Sequence, residues 1–200
     1  MPEQTRIALK DLVLQDEVKS FQDLSWTGTF EEYLNKVKEN PQVTRNAFQR
    51  MYDMVTFFGK TELKRGKNRS VSVYKFFEDI VGNGEDAVFG IEESLELLVR
   101  TFESAAQGHG PEKRVLLLHG PVGSSKSTIA RLLKRGLEHY SRMPEGEMYT
   151  FSWDVAEGVL ASVPAGYSET SPMNEEPLYL LPTKMRERFL SQVRKEWGTK

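Results

Sequence analysis

Residues 120–127 read G-P-V-G-S-S-K-S, the spacing G-x-x-x-x-G-K-[ST] with Ser125 standing where the last glycine is expected. The chemistry of that pattern is phosphate binding. A loop of this kind turns successive backbone N–H groups inward, and a helix starting at its end adds the positive pole of its dipole. Gly120 and Gly123 allow the tight turn and close approach of backbone to phosphate, with Pro121, Val122 and Ser124 filling the loop between and after them. Lys126 is placed to bridge the β and γ phosphates and Ser127 to give its hydroxyl to Mg²⁺, with Thr128 as a second hydroxyl beside it. Ser125 is small enough not to block phosphates, but it adds a Cβ where the backbone is prone to strain. The ligands expected are ATP and Mg²⁺.

Such a loop needs a strand before it and a helix after it. Val115, Leu116, Leu117 and Leu118 form a continuous apolar run suited to a strand buried on both faces. Ile129, Leu132, Leu133 and Leu137 then recur at helical spacing. The stretch MYTFSWDV at 148–155 is the next strand candidate, which makes a β-α-β unit with a right-handed parallel crossover. The alternative, a helix whose serine-rich first turn leaves a lysine in solvent, explains the spacing but not the strand.

The sequence GPVGSSKSTIARLLKRGLE, preceded by FFEDIVGNGEDAVFGIEESLELLVRTFESAAQG, resembles the ATPase-type amino-terminal region of the PrkA serine protein kinase family. The flanking stretches SWTGTFEEYLNKVKENPQVTRNAFQRMYDMV and YSETSPMNEEPLYLLP are similar as well, so the resemblance covers most of residues 20 to 195. It implies an AAA-type P-loop NTPase: an α/β three-layer core, incomplete at its carboxy terminus, preceded by a helical amino-terminal region. The division expected is 1–65 for the helical region and 66–200 for a partial nucleotide-binding domain. The resemblance further implies that Phe89, Gly90 and Ile91, with Val88 before them, line the adenine pocket. The same residues would equally serve as a strand-to-helix junction. For a longer parent it implies phosphoryl transfer from ATP to protein serine, hence a protein substrate, and self-association by analogy with AAA rings alone.

An AAA-type ATPase places Mg²⁺ and water with an acid after a later apolar strand. Asp154 follows an aromatic run but arrives early for that role, and a capping or loop position accounts for it equally. Glu175 and Glu176 are paired, yet they lie between a polar loop and a proline. No catalytic residue is assigned. The expectation is of a truncated chain that binds ATP without efficient turnover. Two alternatives remain, a non-catalytic nucleotide-responsive interaction module and a small P-loop phosphotransferase with an acceptor pocket at 160–182.

Composition sets the frame for these readings. The 200 residues, 38% apolar and 28% charged, suffice for a sizeable core. No apolar run approaches the roughly 20 residues of a spanning helix, and the first residues carry acids where a secretory leader is basic. With no cysteine there is no disulfide framework, and a cytoplasmic setting is expected. A net charge of −2 gives no bulk attraction to nucleic acid. His109, His119 and His139 have no metal-ligand spacing, and His119 is expected to fill the end of the buried strand.

Elsewhere the periodicity predicts mostly helix over 1–60. One helix is capped by Thr29 with Glu32 and ended by Pro41; a second is capped by Thr44 and stopped at Gly59. Residues 60–70, KTELKRGKNRS, are expected as a solvated loop, with an exposed hairpin as the alternative. Further helices are predicted over 91–107, with Leu95, Leu98, Val99 and Phe102 as its apolar face, and over 183–197, with Met185, Phe189 and Val193 on one side.

Overall fold

The computed structural model describes residues 25–64, 69–154 and 168–198. The amino-terminal part of the expected helical region, residues 1–24, lies outside the described residues, as do residues 160–167 of the proposed acceptor segment.

Helix α1 spans Phe30–Glu39 and starts as its sequence requires. The Thr29 N–H donates to Glu32 Oε2 at 2.7 Å and the Glu32 N–H donates to Thr29 Oγ1 at 3.3 Å, a reciprocal capping box. Pro41 opens a 3₁₀ turn over Pro41–Thr44. Helix α2, Ala47–Phe57, is capped by Asn46 and Gln49, not by Thr44. The reason is local: the Thr44 hydroxyl donates to the Pro41 carbonyl at 2.8 Å and closes the preceding turn. Gly59, at φ 85°, ends the helix as expected.

Strands β1 (Lys60–Lys64) and β2 (Ser70–Tyr74) form an antiparallel hairpin with Lys60 opposite Tyr74 and Lys64 opposite Ser70. The solvated loop expected over 60–70 is therefore a hairpin in its described residues, and residues 65–68 lie outside them. Charge hid the alternation of Ser70-Val71-Ser72-Val73-Tyr74; in the hairpin Val71 and Tyr74 are buried and Val73 is half-buried, while β1 stays exposed.

Helix α3 (Glu92–Ala106) and helix α4 (Lys126–Tyr140) complete the first core. Met54 and Val55 of α2, Tyr74, Phe76, Phe77 and Val88, Leu95, Val99 and Phe102 of α3, and Ile129, Leu132 and Tyr140 of α4 form one buried cluster. Gly136 of α4 lets Phe76 approach, since a Cβ there would overlap that ring. This core joins elements on both sides of residue 65. Arg50 of α2 is buried beside it with its donors satisfied by carbonyls, donating to Val43 O at 2.6 Å, Arg45 O at 3.0 Å and Gly146 O at 3.0 Å.

A second, smaller cluster gathers Tyr33, Val37, Val43 and Leu178, with Phe189 and Leu190 of helix α5 (Thr183–Trp197) against it. Val193 of α5 is also buried, whereas Met185, on the apolar side expected for this helix, is 58% exposed.

The expected β-α-β unit is not formed among the described residues. Residues 115–118 form no strand and enter no ladder, and Val115 and Leu117 are 94% and 82% exposed. Strand β3 is short, Ser152–Asp154, and pairs antiparallel with β4, Ser168–Thr170. A strand buried on both faces needs a neighbour on each edge and a layer on each side, and the described residues offer residues 115–118 neither. His119 is likewise exposed and fills no buried strand end.

Candidate functional site

The phosphate-type loop lies between the apolar run 115–118 and α4. Gly123 has φ 83°, a conformation that a side chain resists. Ser125, the departure from the glycine pattern, has φ 57° and ψ 14° at the N-cap of α4, so the backbone keeps the left-handed turn that glycine would take at lower cost. No side chain caps α4. Its first N–H groups have no intrahelical acceptor and form, with the dipole, an anion-attracting end.

Lys126 is half-buried and turned back into the loop. Its Nζ donates to Gly120 O at 2.9 Å, Pro121 O at 2.5 Å and Ser124 Oγ at 2.9 Å, while Ser124 Oγ donates to Pro121 O at 2.8 Å. The ammonium thus sits centrally in the loop on neutral acceptors, with no carboxylate among these partners. Ser127 is exposed, Thr128 half-buried and Val122 fully exposed. Donor type and placement fit a polyphosphate: an ammonium, orphan N–H groups and a serine hydroxyl on one helix end. Mg²⁺ has one candidate ligand here, Ser127. No group of three or more acid or histidine side chains suited to a metal occurs among the described residues. Asp154 lies exposed at the end of β3, opposite Ser168 in the ladder.

The segment expected to meet the base precedes α3. Val88 is buried and its N–H donates to Phe77 O at 2.9 Å. Phe89 is 72% exposed, Gly90 has φ 83° and donates to Glu92 Oε1 at 2.8 Å, and Ile91 caps α3. A cavity of about 40 Å³ beneath them is lined by Tyr74, Phe77, Val88, Phe89 and Leu95 among others. That volume suits a water or two, far below the ~300 Å³ of a small-ligand pocket, so any base would lie on the open side of Phe89 and Gly90.

The sequence reading passed over a charged cluster between these two segments. Asp79 is 2% exposed at φ 55°; its Oδ1 accepts from Gly82 N–H at 3.0 Å and its Oδ2 from Asp86 N–H at 2.9 Å. Asp86 receives a two-pronged contact from Arg131 of α4, Nε to Oδ2 at 2.9 Å and Nη2 to Oδ1 at 2.5 Å. Arg135 spans both acids, 3.0 Å from Asp86 Oδ2 and 3.3 Å from Asp79 Oδ2. The Arg131 hydrogen bonds hold the Asp86 carboxyl below the usual carboxylate range. A signal was present: an acid-bearing turn, Asn83-Gly84-Glu85-Asp86, and two arginines four apart on one helix face.

Comparison with known proteins settles the family. The model of the PrkA AAA domain matches residues 28–197. The chain belongs to that family. It is 37% identical over 169 residues to the ATP-dependent protease PrkA of Bacillus subtilis, covering 84% of this chain and 22% of that protein. It is 30% identical over 159 residues to the serine/threonine kinase YeaG of Escherichia coli, covering 76% of this chain and 20% of the relative. An uncharacterized protein in the gldA 5' region of Geobacillus stearothermophilus is 38% identical over 93 residues, 46% of this chain and 84% of that protein. The chain therefore spans about a fifth of the length of the PrkA and YeaG relatives. No solved structure matches. Family membership makes the chain an ATP-binding AAA module of the P-loop class, and among the described residues no helix is long and apolar enough to cross a membrane.

Proposed function

We propose that residues 120–128 bind the phosphates of Mg²⁺-ATP, with Lys126 at the β and γ phosphates, Ser127 on Mg²⁺, and Phe89, Gly90 and Ile91 against the adenine. The observation that carries this reading is the Lys126 ammonium held inside a loop of left-handed turns at the open N-terminus of α4. In a longer protein, residues 115–118 serve as a central strand of a three-layer core, and the helical region up to residue 65 docks through α2. Nothing described brings Asp154, the acid considered for Mg²⁺, to the loop, and Ser127 is the Mg²⁺ ligand of this reading. Bound ATP and Mg²⁺ supply a transferable phosphoryl group, and this chain's residues bind and orient it. Transfer in the parent goes to protein serine, and the setting is cytoplasmic.

A second reading is favoured by one name: the Bacillus subtilis relative is called an ATP-dependent protease, so in the parent the nucleotide would drive peptide-bond cleavage. The two are separated in the full-length protein by radiolabelled γ-phosphate appearing on a protein acceptor, or by ATP-dependent release of peptides.

The test for this chain is calorimetric titration with Mg²⁺-ATP, on the parent and on Lys126→Ala. Binding by the parent that is lost in the variant supports the phosphate-loop reading; a parent that binds no ATP overturns it.

A further inference from the structure

The charged cluster between the base-side segment and α4 belongs to neither half of the nucleotide site, yet it joins them. Residues 79–88 form a loop closed at its base by the Val88 N–H to Phe77 O hydrogen bond. Inside it, Asp79 collects the Gly82 and Asp86 N–H groups, which fixes the loop's shape from within. On its outer side, Asp86 and Asp79 grip Arg131 and Arg135. Gly82 makes the approach possible, because a Cβ there would overlap both the Arg135 guanidinium and the Asp79 carboxylate. Phe89 and Gly90 follow Asp86 within four residues, while Arg131 stands five residues after Lys126 on the same rigid helix.

We propose that Asp86 with Arg131 and Arg135 is a clasp that positions the adenine-side segment against the phosphate loop, so that binding energy at the base is coupled to binding energy at the phosphates. These are positioning residues: none touches the nucleotide, and they act through the backbone of residues 87–91 on one side and through α4 on the other. The chemistry suits the task, since a two-pronged guanidinium–carboxylate contact fixes orientation as well as distance. The proposal rests on the nucleotide-binding reading and deepens it. Its consequence is selective. Loosening the clasp releases Asp86 from α4 and lets residues 87–91 shift relative to that helix, which weakens ligands that carry a base and leaves ligands that are phosphate alone.

The experiment titrates the parent, Asp86→Asn, Arg131→Gln and the exchange Asp86→Arg with Arg131→Asp, each with Mg²⁺-ATP and with Mg²⁺-tripolyphosphate. Thermal unfolding is followed in parallel. The expected result for each single variant is an affinity for ATP lower by about tenfold with tripolyphosphate affinity unchanged, and part of the loss recovered in the exchange variant. Two variants guard against misfolding, since a folded Arg131→Gln suffices if Asp86→Asn fails. Equal loss of both ligands, or no loss of either in a folded variant, overturns the clasp while leaving the nucleotide reading intact. A parent that binds neither ligand overturns the nucleotide reading, and the clasp with it.

Discussion

The two sides of the phosphate loop treat similar residues in opposite ways. After it, Ile129 and Leu132 of α4 are 6% and 2% exposed; before it, Val115 and Leu117 are 94% and 82% exposed. The difference is one of partners, not of hydrophobicity. A helix buries one stripe and satisfies its own backbone, so α4 buries its stripe in one cluster with α2, α3 and the 3₁₀ turn Lys75–Glu78, which carries Phe76 and Phe77. A strand satisfies nothing by itself and needs ladders on its edges and layers on its faces. Among the described residues, the module thus has a helical half whose apolar face is covered and an apolar run that is not.

Substitutions on the two sides test this contrast, the largest effect coming first. Leu132→Ala is expected to cost about 2–5 kcal/mol in chemical denaturation, because it opens a cavity in the first core. A loss below about 1 kcal/mol would mean that α4 is not held as described. At the junction of the two sides, Ser125→Gly is expected to stabilise the chain by up to about 1 kcal/mol, the relief of a left-handed serine outweighing the added freedom of the unfolded chain. Destabilisation by the glycine would show that the Ser125 side chain holds the loop.

Smaller again is the pH dependence of the clasp. Asp86 has its folded pKa lowered by Arg131, so its contribution is present above the ordinary aspartate range and lost as pH falls through the depressed folded value. The stability difference between the parent and Asp86→Asn should be full near neutrality and close as the solution is acidified through that window. A difference independent of pH would mean that charge is not what the clasp uses.

The smallest effect expected is that of Leu117→Asp, within about 0.5 kcal/mol in this chain, since an exposed side chain has little to lose. Placed in a longer protein whose further strands cover residues 115–118, the same substitution should cost several kcal/mol, measured by the same denaturation. A large loss already in this chain would show the run to be packed in solution and would remove the contrast.

Local signals were legible where the physics is local. Thr29 and Glu32 announced the start of α1, Gly59 the end of α2, and the apolar spacing of Leu95, Val99 and Phe102 the buried face of α3. Misreadings arose where two local signals compete. Asn46 displaced Thr44 as a cap because Pro41 started a turn that used the threonine hydroxyl first, and the charges of β1 masked a hairpin that β2's alternation had already declared. The clasp went unread for another reason: Asp79 and Arg135 are 56 residues apart, and no periodicity connects them.

By itself the sequence determined which donors stand together: G-x-x-x-x-[S]-K-S puts an ammonium, hydroxyls and orphan N–H groups at one helix end, the donor set on which the proposed phosphate site rests. Tertiary structure alone decided which apolar residues are covered and which acids meet which arginines. Burial and ion pairing depend on what the rest of the chain brings within a few ångströms, and that is a property of the packed elements rather than of any one segment.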